Sequence, residues 1–114
     1  MSTNNGVTLD VWNEKITINI KDAKKLAFID YTPEMYELIS KSRFRVPKLE
    51  KVDEYEYPYS NEYNKTLHQI SYDSFFGEDY RKSAYEKGFI IEHLDNDGFN
   101  CLISNLFLLQ KVKN

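Results

Sequence analysis

The stretch Phe89-Ile90-Ile91-Glu92-His93-Leu94-Asp95-Asn96-Asp97-Gly98-Phe99-Asn100, followed by Ser104-Asn105-Leu106, constrains the fold of this chain more than any other. A short apolar run ends in an acid and a histidine. A polar turn around Gly98 follows, and an Asn-Leu pair opens a second apolar run. Short apolar runs bounded by turn residues fit strands, so 89–92 reads as a strand. Leu106, Leu109 and Val112 recur at helical spacing and predict a last helix that opens at Asn105. The chain has two histidines. The other, His68, follows Leu67 at what reads as a second strand end.

A chain of 114 residues is one domain with room for a modest core. Its 41% hydrophobic and 29% charged residues give an ordinary globular balance, so neither a disordered nor a membrane-spanning class fits. The polar opening, Met1 to Gly6, lacks the apolar stretch of a signal peptide. The single cysteine, Cys101, has no partner for an intrachain disulfide and cannot found a cysteine-rich zinc site. It reads as a small buried hydrophobe in a reducing cytoplasm. Net charge is −3. Proteins that grip phosphates need clustered Lys and Arg. Here the cations come in small groups: Lys21, Lys24 and Lys25; Lys41, Arg43, Arg45 and Lys48; Arg81 and Lys82; Lys111 and Lys113.

Strict alternation over 16–20 predicts a half-buried strand, with a second at 26–30. Thr32-Pro33-Glu34 has the order of an N-cap, a first-turn proline and a first-turn acid, so a helix runs from there to about Lys41. Further strands are expected at 44–46 and 55–57. The segment 67–76 reads as a short strand passing into a helix closed by Gly77. A helix over 78–87 closes on Gly88. The chain divides into an N-terminal segment (1–15), a strand-rich half (16–66) and a C-terminal unit (67–114), together one compact α+β domain. Asp95, Asp97 and Gly98 lack the ligand alternation and distal Glu of a calcium loop and read as a turn. Taken alone, His93 reads as a structural histidine at a strand end, and His68 reads as structural or supportive rather than catalytic.

The Glu-His step, glycine turn and Asn-Leu pair together resemble the HNH nuclease motif, a β-hairpin packed on a helix around one metal ion. The likeness extends upstream. Ile29-Asp30-Tyr31 resembles that family's acid-aromatic strand end, and Phe44 stands where a Trp is usual. It therefore covers 16–114, most closely in the second half. It implies an α+β domain ending in an HNH-like ββα-metal unit, as in homing-endonuclease-like proteins of phages and mobile elements. It also implies a metal-dependent DNA endonuclease or nickase using Mg²⁺ or Mn²⁺. In that scheme His93 is the general base, Glu92 binds the metal, Asn105 orients the base, and Asn114, nine residues after Asn105, is the second metal ligand.

Three departures accompany the likeness. Glu92 stands where Asp is usual, which moves the carboxylate outward by roughly one C–C bond. Cys101, Leu102, Ile103 and Phe107 replace basic and polar side chains that grip phosphate. Asn114 ends the sequence, where a ligand is poorly preorganised. The resemblance thus also admits a second function: a catalytically degenerate HNH-like phage protein without a cofactor. It would act in the host bacterial cytoplasm as an acidic inhibitor of a defence nuclease, as anti-CRISPR proteins act on CRISPR-type effectors. Its partner surface would be Glu50, Asp53, Glu54, Tyr55, Glu56, Tyr57 and Tyr59, where tyrosines give rigid contact area and the acids complement a basic channel. As a nuclease it would be weakly binding or partner-dependent, with DNA as its partner. Neither function involves a membrane.

Overall fold

Alternation along Lys15-Ile16-Thr17-Ile18-Asn19-Ile20 puts three isoleucines on one face, and all three are fully buried. In the computed structural model, which describes residues 6–47 and 56–111, this segment is the middle strand of an antiparallel sheet. The strands β1 (Val7–Asp10), β2 (Lys15–Ile20) and β3 (Lys25–Asp30) lie in sequence order, with Val7 opposite Ile18 and Ile18 opposite Ala27. β1 falls within the expected N-terminal segment. Its four residues carry too little alternation to stand out in the sequence.

Helix α1 (Pro33–Ser40) starts as its sequence signals. Thr32 is extended, its Oγ1 accepts from the Met35 amide at 3.0 Å, and Pro33 occupies the first turn. Met35 and Ile39 face the sheet and are buried. A small antiparallel sheet follows, of β4 (Phe44–Arg45), β5 (Tyr59–Ser60) and β6 (Lys65–Thr66). Of the strand expected at 55–57, Tyr55 lies outside the described residues and Glu56–Tyr57 are not in a strand. Pairing begins at Tyr59, just past Pro58, which has no amide to donate.

Helix α2 (Leu67–Phe76) begins at once after β6. Thr66 and Gln69 cap each other's backbone amides, a reciprocal capping box that fixes the helix start. His68 therefore lies in the first turn of a helix and not at a strand end. Gly77, with φ +94°, separates α2 from α3 (Glu78–Glu86), and Gly88, with φ +91°, follows α3. Both angles are in the region open chiefly to glycine. Arg81 of α3 is buried, its guanidinium held by both carboxylate oxygens of Asp73 at 2.6 and 3.1 Å. Lys65 Nζ bonds the same carboxylate at 2.9 Å, so Asp73 pairs two cations, the buried Arg81 among them.

The C-terminal region departs from expectation. Strand β7 (Phe89–His93) pairs antiparallel with β8 (Leu106–Gln110), residue by residue from Phe89 opposite Gln110 to His93 opposite Leu106. The expected last helix is absent among the described residues, and Asn105 ends a short 3₁₀ turn (Ile103–Asn105) in place of opening a helix. The reason is backbone demand. β7 has no other strand partner in the described chain, and pairing with 106–110 satisfies its amides and carbonyls while burying Leu106 against Ile91 and Tyr72. The hairpin strand ending at His93 is present. The helix of a ββα unit is not seen, and Val112 and Asn114 lie outside the described residues.

The connection between β7 and β8 locks the hairpin to the first sheet. The Phe28 amide donates to Phe99 O at 2.9 Å and the Cys101 amide to Phe28 O at 2.8 Å, so Asn100 sits as a parallel partner beside β3. Phe99 and Cys101 enter the main core with Ile16, Ile18, Ile29 and Leu67. Ile18→Ala is expected to cost about 2–5 kcal/mol, since the cavity cannot collapse in so closed a sheet. Urea denaturation checks this. The midpoint should fall at unchanged slope, and a loss below about 1 kcal/mol would mean that this face is not packed as described.

A candidate active-site cleft around His93

β7 delivers Glu92 and His93 to the mouth of the crossing connection. Successive strand residues point to opposite faces. His93 turns inward and is 5% exposed, while Glu92 stays half-buried at the rim. The imidazole lies in an aromatic cage. Tyr57 stacks on it with ring centres 5.7 Å apart and planes at 21°. His68 meets it edge-on at 5.0 Å, and Tyr57 and His68 also touch at 5.0 Å. The Cys101 thiol lies 3.9 Å from His93 Nε2 and donates to Gly98 O at 3.5 Å.

Gly98 makes the cage possible. A Cβ there would stand 2.4 Å from Glu56 O and 2.6 Å from Tyr57 Cδ1, so only glycine lets the 56–58 segment lie this close. Tyr57, Glu92, His93, Asn96 and Gly98 line a cleft of about 10 Å³, the room of a single water.

The residues after His93 are held by one carboxylate. Asp95 accepts from Asn105 Nδ2 at 2.9 Å, from the Asp97 amide at 2.9 Å and from Asn100 Nδ2 at 2.8 Å. Burial opposes its charge, but these hydrogen bonds outweigh it and hold the carboxyl below the usual range. Asn105 also accepts from the Leu94 amide at 2.8 Å through its carbonyl and from the Asp95 amide at 3.3 Å through its side chain. Asn105 thus anchors the backbone that leaves His93, with its side chain on Asp95 and on Asn100 O. From the other side, the Ile103 amide donates to Asp30 Oδ2 at 2.6 Å.

Both imidazoles are kept neutral. Burial pushes the pKa of His68 down to about 3, with His93 and Arg81 adding repulsion. Its Nε2 contacts Thr66 Oγ1 at 3.1 Å, and its Nδ1 has no hydrogen-bond partner among the described residues. Burial also lowers the pKa of His93, against the opposing pull of Asp95, Glu92 and Asp97. A neutral ring at pH 7 can accept a proton. Burial raises the Cys101 pKa well above its ordinary value, so the thiol is no nucleophile.

Among the described residues no group of three or more His, Cys, Asp or Glu side chains is arranged to hold a metal ion. Among the described residues, Glu92 is the one carboxylate lining the cleft. Asn114, the second expected ligand, lies outside the described residues, as do Glu50, Asp53, Glu54 and Tyr55 of the acidic surface. Of that surface, Glu56 is exposed, Tyr57 turns onto the histidines, and Tyr59 is half-buried with its hydroxyl on Asn64 and Arg45 above its ring.

Sequence reasoning did not place Tyr57 or Cys101 against His93. Nothing local signals either contact, because each is made across the fold. A larger hollow of about 270 Å³ lies between α1 and α2, over Met35, Leu38 and Ile70. Of its charged wall residues, Lys65 and Asp73 are bound to each other and Glu34 is exposed on α1. No helix among the described residues is long and apolar enough to cross a membrane. No family model, curated protein or solved structure matches the chain, so the cleft is interpreted from its own geometry.

The buried histidines set a pH dependence. With the folded pKa of His68 near 3, the unfolded chain takes up a proton below about 6.5 and the folded chain does not. Stability is therefore full above pH 6.5 and falls as pH drops, with a slope from His68 that approaches about 1.4 kcal/mol per unit. Urea titrations between pH 7 and pH 5 should show this decline, and His68→Gln should flatten it. An equal slope in both proteins would show that His68 is not held neutral.

Proposed function

We propose that the chain is an HNH-like, metal-dependent DNA endonuclease or nickase in which His93 is the general base. One observation carries this reading. A neutral imidazole and a carboxylate, His93 and Glu92, meet in one cleft at the end of a β-hairpin strand. A base poised in neutral form can take the proton of an attacking water. Glu92 offers an oxygen ligand. A bound Mg²⁺ or Mn²⁺ would stabilise charge on the scissile phosphate. The Asp95–Asn105 network holds the backbone after His93, the kind of support a precise site needs. A cleft with room for one water does not admit a phosphate. Tyr57 must swing off the His93 ring for substrate to reach it, which agrees with a weak or partner-dependent enzyme.

A second function is favoured by that same cover. His93 is 5% exposed beneath Tyr57, and Cys101, Leu102 and Ile103 put apolar groups where phosphate contacts would be. A degenerate HNH-like fold used as an acidic inhibitor of a host defence nuclease suits these features. Plasmid nicking with Mg²⁺ or Mn²⁺ separates the two. In the nuclease, His93→Ala should lower the rate by roughly two to four decades with the fold intact. Nicking that survives the substitution would place the base elsewhere. Wild-type protein that nicks nothing but blocks a CRISPR-type effector, unaffected by His93→Ala and weakened by charge reversal at Asp53, Glu54 and Glu56, would establish the inhibitor.

A further inference from the structure

We infer that the β2–β3 turn and the adjoining β4 form a phosphate-binding flank of the His93 cleft, built for the backbone of duplex DNA. The inference rests on the nuclease reading and adds to it a surface that grips the substrate. Three of the five residues from Lys21 to Lys25 are lysines, in a chain where acids outnumber Lys and Arg by 18 to 15. All three are exposed. The turn is fixed from below. Ile20 is fully buried, the Ala23 amide bonds Ile20 O at 3.2 Å, and the Lys24 amide bonds Lys21 O at 3.2 Å. Lys24 takes a left-handed conformation, φ +52°, that closes the turn.

The one acid in the turn is directed to the protein. Asp22 Oδ2 accepts from the Val46 amide at 3.4 Å, which draws the end of β4 against the turn. Arg45, the residue before, is exposed, with its guanidinium over the Tyr59 ring at 5.7 Å and its Nη2 on Asn61 at 3.2 Å. A tethered, stacked guanidinium loses little freedom when it binds an anion. Lys25 then joins this flank to the cleft. Its Nζ lies 2.9 Å from Asp97 Oδ1, and Asp97 stands between Asn96 and Gly98, both of which line the cleft. Lys21, Lys24 and Arg45 are thus exposed cations on the turn and on β4, and Lys25 is the member of this flank that reaches the loop bounding the cleft.

Spaced cations on a rigid edge fit a polyanion whose charges repeat along its length. Each lysine that neutralises a phosphate releases counterions and adds about 0.9 to the slope of log affinity against log salt. An acidic protein surface is the competing partner, and the test includes it.

The experiment is binding of a fluorescein-labelled duplex DNA to the full chain at several salt concentrations, without divalent metal, with plasmid nicking in parallel. The double variant K21Q/K24Q should bind about ten-fold more weakly at low salt, with a slope smaller by about 1.8 for two lost phosphate contacts. Lys41→Gln, which removes a lysine paired to Glu37 on α1, should bind like wild type. Equal binding by wild type and K21Q/K24Q overturns the proposal, as does wild-type protein that binds no duplex. Competition as effective by polyglutamate as by unlabelled DNA also overturns it, in favour of an acidic protein partner. Wild type that binds DNA through these lysines but nicks nothing leaves the surface standing and removes the nuclease reading. Nicking that K21Q/K24Q does not slow removes the surface and leaves the nuclease.

Discussion

Two backbone hydrogen bonds, beside the Ile103–Asp30 and Lys25–Asp97 contacts, tie the C-terminal connection to the N-terminal sheet. The Phe28 amide binds Phe99 O and the Cys101 amide binds Phe28 O, so the connection between the C-terminal strands makes one parallel bridge, at Asn100, on the edge of the N-terminal sheet. Phe99 and Cys101 flank that contact and are almost wholly buried. Without it, the β7–β8 hairpin would rest on its small cluster around Tyr72, Ile91 and Leu106. A two-stranded hairpin has little stability alone. With it, His93 is carried under Tyr57 and beside His68, and Asp95 is brought within reach of Asn100 and Asn105.

The cleft sets a cost against a use. Two imidazoles buried edge to face cannot both take protons, and each is held neutral by desolvation. That costs stability in mild acid and yields a ring ready to accept a proton at neutral pH. The carboxylates around it are not withdrawn from water in the same way. Glu92 remains at the rim, and Asp95 is saturated by donors. The division leaves a desolvated imidazole beside carboxylates that stay hydrated or hydrogen-bonded.

Much of this was legible in the sequence where local rules are strong. The alternation of Ile16, Ile18 and Ile20, the Thr32-Pro33 helix start, and Gly77 and Gly88 all mean in the structure what they mean in the sequence. The last segment was not legible. Leu106 and Leu109 fit a helical stripe, yet Leu106-Phe107-Leu108-Leu109 fits a strand equally well. Four residues cannot decide between the two without the partner strand. His68 was misplaced by two residues although Thr66 and Gln69 have the spacing of a capping box. Glu92 and His93 were legible as neighbours of one cleft because they adjoin in the strand. Tyr57 was not, because its stacking on His93 depends on Gly98 admitting a backbone from a distant segment.

Amide hydrogen exchange at Phe28 and Cys101 tests this most directly. If the bridge of the crossing connection to β3 is an integral part of the folded core, both amides should exchange only through global unfolding, with the same free energy as Ile18 at the centre of β2. Exchange of the Cys101 and Phe28 amides by local opening, well below the free energy at Ile18, would contradict the account. It would mean that the His93 cleft is not held in place by the sheet.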